Sequence, residues 1–292
     1  MGFPTSMPDI LNLAHELVPY SKVVSSTPLK GGISAQMFLL TLEGPDGAVE
    51  AFTLRKPGDW GDEEYSTKAK REFLKYQFAF EAGLLGPEPV KCFDAFFVLR
   101  YIDGAPDLSV EQASAFASQL PGHLAKIHRT EISDPAASML PKTNPSPTGT
   151  DWQPRVREIL LEHGPPRDEP VALCHGDCWP GNVLWNGAQI VGLIDWAEIH
   201  VGPPLVDLAI SRFDLFLAFG WETVHEFTRQ YFEYNPIDSE YLAYWDLRCS
   251  QRIGDKYEDW AASFVPLGRP DVTADFMRHR QTEFIEDAIA RL

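Results

Sequence analysis

Apolar and polar positions alternate in three short runs near the front of the chain, Lys22 to Lys30, Met37 to Leu42 and Ala48 to Arg55. A period of two predicts strands, and Gly44-Pro45-Asp46-Gly47 supplies a turn between the second and third. A fourth run, Phe96 to Ile102, is apolar enough to predict a buried strand. Residues 8 to 18 instead repeat with helical spacing. A further helix is expected to open near Ser66-Thr67 and to close at Gly83, with Ala69, Phe73, Tyr76, Gln77 and Phe80 on one stripe. Ser109 to Gln112 reads as a capping box for a helix to His128, with Ala113, Phe116, Leu120, Leu124 and Ile127 inward. Residues 133 to 150 read as a loop, and Asp151 as the cap of a helix through about His163. Four helical patterns follow: Leu205 to Phe219, 221 to 234, Asp238 to about Phe264, and Asp271 to Leu292. The second half is thus expected to be helical except for one hairpin.

That hairpin joins Val183-Leu184-Trp185 to Gln189 through Ile194 across Asn186-Gly187, a strong turn signal because a type I′ turn needs two residues that tolerate positive φ. The expected register sets Asn182 near Val191 and brings Asp195 level with the loop that carries Asp177. Two carboxylates and an amide are hard oxygen donors, suited to magnesium rather than zinc. The spacing His175-x-Asp177-x-x-x-x-Asn182, then a hairpin and Asp195, is the kinase pattern of catalytic loop and metal-binding Asp. In that pattern Asp177 takes the proton of the attacking hydroxyl, while Asn182 and Asp195 hold metal ions that bridge the phosphates.

A length of 292 residues suffices for two domains or one bilobed domain, and 44% hydrophobic residues mark a globular chain. No stretch has the apolar length of a membrane span, and the first residues lack the basic and apolar regions of a signal peptide, so a cytoplasmic protein is expected. The four cysteines, Cys92, Cys174, Cys178 and Cys249, have no paired spacing and read as reduced thiols. A net charge of −17 argues against nucleic acid or an anionic membrane as partner and is compatible with a cationic small molecule.

The wording His-Gly-Asp-x-x-Pro-Gly-Asn with Ile-Asp-Trp, residues 175 to 182 and 194 to 196, resembles the aminoglycoside phosphotransferase and choline kinase family. The resemblance implies an α+β, bilobed, protein-kinase-like fold. Its antiparallel-sheet N-lobe, residues 1–103, would bind nucleotide, and its helical C-lobe, residues 104–292, would carry catalysis and substrate. It implies ATP and Mg2+ as cofactors. Gly31, Gly32 and Ser34 then correspond to a phosphate-covering loop, with Ala35 where the family often has Asn. Arg55 stands for the strand lysine that pairs with phosphates, and Glu72 is either its ion-pair partner or a solvated charge. Leu99 to Ile102, with Leu99 and Tyr101 foremost, would meet adenine through backbone groups at the hinge. His175 and Asp207, the latter in Leu-Val-Asp-Leu-Ala, would support the site, whereas Pro203 departs from the commoner Gly-Asp-Pro wording.

In the resembling family the acceptor lies over the helical lobe. Candidate contacts are Trp179, Glu198, Asp214, Asp255, Glu258 and Asp259, of which 255, 258 and 259 are expected on one helical face; a solvated face is the plain alternative. Three functions stay open: an antibiotic phosphotransferase, a metabolic kinase of choline, sugar or amino-alcohol type, and a nucleotide-binding module without turnover.

Overall fold

The structure, a computed structural model, describes residues 3–4, 7–29, 35–58, 64–132, 140–143 and 153–292. Gly31, Gly32 and Ser34, most of the segment 133–150, and the expected cap Asp151 lie outside the described residues. The chain forms two compact units, Met1–Asp103 and Gly104–Leu292. Among the described residues no helix is long and apolar enough to cross a membrane.

The first unit runs α1 (Met7–Leu17), β1 (Lys22–Pro28), β2 (Ala35–Glu43), β3 (Val49–Pro57), α2 (Tyr65–Glu81), β4 (Pro89–Cys92) and β5 (Phe97–Arg100). Its strands form one sheet in the order β1-β2-β3-β5-β4, antiparallel throughout. Because side chains alternate along a strand, β3 serves two cores. Phe52 and Leu54 join Leu40, Leu42, Phe96 and Val98 against Leu13 and Ala14 of α1. Arg55 points the other way, opposite Phe97 in the register, and the Phe97 ring meets Phe73 and Tyr76 of α2.

Helix α2 buries Lys68, Ala69, Glu72, Tyr76 and Ala79, while Phe80 is 43% exposed. The stripe expected from hydrophobicity is therefore rotated. Positions 69, 72, 76 and 79 keep helical spacing better, and the cation presented by β3 draws a carboxylate inward in place of Phe80. Gly83 closes the helix at φ 68° as expected, with the Leu84 N–H donating to the Ala79 carbonyl.

The second unit comprises α3 (Ala113–His128), α4 (Pro154–His163), β6 (Ala172–Cys174), β7 (Val183–Asn186), β8 (Gln189–Leu193), β9 (His200–Gly202), α5 (Pro204–Phe219), α6 (Trp221–Tyr234), α7 (Leu242–Cys249), α8 (Tyr257–Phe264) and α9 (Ala274–Arg291). Helix α5 is buried from Pro204 to Ala218 and forms the centre of the unit. A helix buried on all sides needs polar partners within reach, and the site described below uses two of its carboxylates.

Three expectations change here. The capping-box reading of Ser109 fails: its side chain makes no cap bond, and Asp107 instead accepts from the Ser109 N–H at 2.9 Å and from Gln112 Nε2 at 3.2 Å. The unit is not helical apart from one hairpin, since β6 and β9 pair antiparallel. Three-residue strands are too short to leave a period. The long helix expected from Asp238 to Phe264 is broken by a 3-10 turn at Ser250–Ile253 and by Gly254 at φ 60°, a conformation that ends a right-handed helix.

Candidate active site

Strand β6 delivers the chain into His175-Gly176-Asp177, and the first turn of α5 fixes that loop. Asp207, fully buried there, accepts the backbone N–H groups of His175 at 2.5 Å and Gly176 at 2.8 Å. Its Oδ2 also meets His128 Nε2 at 3.3 Å, and His128 Nδ1 lies 2.6 Å from the Tyr231 hydroxyl. Burial alone would raise the Asp207 carboxyl, but the His128 hydrogen bond and the histidines around it hold it at about 2. His128, Cys174 and Asp207 offer atoms within 4.8 Å of one another. Hydrogen bonds already occupy the His128 nitrogens and the carboxylate, so this cluster reads as a structural network.

Gly176 sits at φ 85°, and a Cβ there would stand 2.2 Å from the Glu198 carbonyl oxygen. Only glycine fits. His175 is fully buried with its ring 4.5 Å from that of Trp196, and Nδ1 accepts the Asp177 N–H at 3.3 Å. Burial pushes the imidazole below its ordinary value, against the upward pull of Asp207, Asp177 and Asp195. A neutral ring can accept that N–H, whereas an imidazolium cannot.

A 3-10 turn at Pro180–Asn182 follows, where a Cβ on Gly181 would strike the Trp179 ring at 2.2 Å. Asn182 Nδ2 then donates to the Asp177 carbonyl at 2.9 Å and to its Oδ2 at 3.0 Å. In the hairpin Val183 pairs with Leu193 and Asn186 with Gln189, with a register shift between Leu184 and Trp185. The turn lies at residues 187–188, one position later than expected, and this shift and the bulge together put Asn182 opposite Ile194, whose N–H donates to the Asn182 carbonyl at 2.9 Å, in place of the expected neighbour Val191. The type I′ turn is corrected too: Gly187 has φ 57°, but Asn186 is a strand residue without positive φ.

Asp195, next in the chain after Ile194, leaves the hairpin in a left-handed conformation of φ 62° and ψ 59°. Such a conformation costs a non-glycine residue roughly 1–2 kcal/mol. The fully buried Trp196, whose Nε1 donates to the Leu193 carbonyl at 2.8 Å, holds it in place.

Sequence reasoning missed Arg252. One of its terminal nitrogens donates to Asp177 Oδ1 and the other to Asp214 Oδ2, and its guanidinium lies 5.4 Å from the centre of the Trp260 ring. No local pattern joins residues 75 positions apart. Asp214, expected among the acceptor carboxylates, is 1% exposed and inward on α5. Burial pushes its carboxyl up to about 7, opposed by Arg252 and reinforced by Asp177.

Glu198, Asp255, Glu258 and Asp259 are exposed, and Glu258 pairs with Arg278 at 2.5 Å. Asp255 precedes α8, so the expected single helical face of 255, 258 and 259 is not formed. Trp179 is half-buried, 5.7 Å from Phe264.

Within the first unit, Arg55 Nε donates to Glu72 Oε2 at 3.2 Å, and both side chains are buried. Of the two alternatives for Glu72, the structure forms the ion pair. Leu99 is paired on both sides, with Thr53 and Pro89, and the Tyr101 N–H donates to the Ala51 carbonyl at 3.0 Å. That N–H is taken up by the main chain of the first unit.

A five-stranded antiparallel sheet carrying a buried Arg–Glu pair, and a helical unit carrying Asp, Asn and Asp around a hairpin, define a protein-kinase-like fold. Residues 25–244 match the profile of the phosphotransferase enzyme family, and the chain belongs to that family. No curated protein sequence matches it. Among solved structures it is similar to a spectinomycin phosphotransferase in complex with ADP and spectinomycin, with TM-score 0.64 and 15% identity over 99% of each chain. A choline kinase from Cryptosporidium parvum Iowa II gives 0.62 at 12% identity, covering 96% of this chain and 95% of that one. A macrolide 2'-phosphotransferase from Brachybacterium faecium gives 0.61 at 17%, covering 93% and 98%.

Proposed function

We propose that this member of the phosphotransferase enzyme family uses ATP and magnesium to phosphorylate a hydroxyl group of a small molecule in the cytoplasm. The observation that carries the reading is the orientation of Asn182. Both of its side-chain hydrogen bonds to Asp177 come from Nδ2, which leaves Oδ1 as a hard oxygen at the end of the hairpin where Ile194, the residue before Asp195, bonds to the Asn182 carbonyl. An amide oxygen and a carboxylate suit magnesium. When bound, the ion supplies positive charge to the phosphate oxygens.

Asp177 is the general base. Its carboxylate takes the proton as the acceptor oxygen bonds to the γ-phosphorus and the bond from that phosphorus to the β,γ-bridging oxygen breaks, leaving ADP. Asp207 and the neutral His175 hold the loop that presents it. In the first unit Arg55, oriented by Glu72, is assigned to the nucleotide phosphates. Gly31, Gly32 and Ser34 are assigned to the same task on resemblance alone. The backbone of Leu99 to Ile102 keeps the adenine role, less the Tyr101 N–H.

Exposed Glu198, Asp255 and Asp259 and the net charge of −17 favour an amine-bearing acceptor, with Trp179 as an aromatic wall. The amino-sugar acceptor is the leading reading and a choline, sugar or amino-alcohol acceptor the second. A module without turnover is disfavoured by the joint presence of Asp177, Asn182 and Asp195. ADP release from MgATP, measured with spectinomycin, streptomycin, a macrolide, choline, ethanolamine and simple sugars, tests the reading. Acceptor-dependent release supports it. Tight MgATP binding with no release in any arm, including water as acceptor, favours the silent module.

A further inference from the structure

Asp177 is gripped at both carboxylate oxygens. Oδ2 accepts from Asn182 Nδ2 at 3.0 Å, and Oδ1 accepts from Arg252. The torsion about the bond to an Asp carboxylate is broad and soft, so one hydrogen bond leaves the group free to rock. Two donors, one at each oxygen, fix its plane.

The second donor is itself held. Arg252 is pinned by Asp214, and the face of its guanidinium lies near Trp260. Asp214 is a costly way to do this. It is 1% exposed on a helix buried from Pro204 to Ala218, and its Oδ1 is buried without a hydrogen-bond partner. A buried ion pair is seldom better for stability than well-packed apolar residues of similar volume. What it does provide is a fixed direction for a long, rotamer-rich side chain.

Resting on the phosphotransferase reading, we infer that Arg252 is a positioning residue: oriented by Asp214 and Trp260, it sets the plane of the Asp177 carboxylate toward the acceptor hydroxyl. It touches neither nucleotide nor metal ligands in this assignment. Its loss therefore slows the phosphoryl-transfer step without weakening nucleotide binding. Misplacement of a reacting group by about 1 Å costs on the order of 10²-fold.

The test uses the full-length protein with MgATP, water as the basal acceptor and the acceptor panel above. Arg252→Met is expected to lower kcat roughly 10–100-fold while the KM for ATP stays within about twofold, and Arg252→Lys, which keeps one charged donor, should recover part of the loss. Asp214→Asn should lower kcat less than Arg252→Met, and combined with Arg252→Met should add little, because both act through the same contact. Melting of each variant separates folding from rate, and Asp214→Asn carries the test if Arg252→Met does not fold. An Arg252→Met enzyme with unchanged or higher kcat overturns the inference, as does a loss seen only in KM. An inactive wild type that binds MgATP overturns the underlying reading instead.

Discussion

Asn182 meets Asp177 twice, donating from Nδ2 to the main-chain carbonyl at 2.9 Å and to the side-chain Oδ2 at 3.0 Å. The proposed base and the proposed metal ligand are therefore tied together, and the bond to the Asp177 main-chain carbonyl survives a change of the Asp177 side chain. Asp177→Asn keeps the shape but cannot accept a proton. Turnover is expected to fall by roughly 10²–10⁴-fold, the range for general acid–base groups, with MgATP affinity nearly unchanged. Steady-state kinetics beside calorimetry checks this, and wild-type turnover would remove Asp177 from the role of base.

Glu72 is buried against Arg55, so its value is not that of a surface pair. Removing one member of a buried pair costs about 3–5 kcal/mol, and Glu72→Ala should show a loss of that order in urea unfolding. Glu72→Gln keeps a hydrogen bond and should fold, with a raised KM for ATP because Arg55 loses its fixed direction. An unchanged KM would separate Arg55 from the phosphates.

Asp207 makes stability depend on acid. Its folded value of about 2 lies below the ordinary 3.8 of an unfolded carboxyl. A depressed value contributes stability that is complete above about pH 4 and is lost as pH falls toward 2. The shift corresponds to about 2 kcal/mol. Asp207→Asn should be less stable at neutral pH and should show a shallower loss between pH 4 and 2, measured by unfolding midpoints across that range. A parallel pH dependence in both proteins would contradict the assignment.

Gly176→Ala combines a strained φ of 85° with a Cβ placed 2.2 Å from a backbone oxygen that cannot swing aside. A left-handed non-glycine residue alone costs on the order of 1–3 kcal/mol, and the clash adds to it. Gly181→Ala meets a Trp179 side chain instead, and a side chain can move. Thermal melting should therefore rank Gly176→Ala well below Gly181→Ala. Equal melting would mean that the loop yields at position 176.

Where a local rule sets the outcome, the sequence reading and the structure agree. Strand alternation placed β1, β2 and β3, a continuous apolar run placed β5, and an Asn-Gly pair between apolar runs announced the hairpin. Where long-range contacts decide, local pattern misleads. Phe80 looked like a core residue until the Arg55 cation turned Glu72 inward. Asn182 was expected near Val191, but a turn displaced by one position and a bulge together set it against Ile194. Asp214 looked like a free carboxylate because nothing near it in sequence announces Arg252. The break in the helical pattern after Asp238 was legible at Gly254, a residue that strong aromatic periodicity on either side masked.

The central claim is that Asn182 and Asp195 hold magnesium against a nucleotide. Without a cation, Asp195 facing a triphosphate would oppose binding, since like unit charges about 4 Å apart repel by roughly 4 kcal/mol at an effective dielectric near 20. Titration calorimetry with ATP, in magnesium and in EDTA, on wild type, Asn182→Ala and Asp195→Ala, measures this directly. The account predicts tight binding by wild type only with magnesium, most of that affinity lost in Asp195→Ala, and part of it in Asn182→Ala. Equal affinity in magnesium and EDTA, unchanged by either substitution, would contradict it.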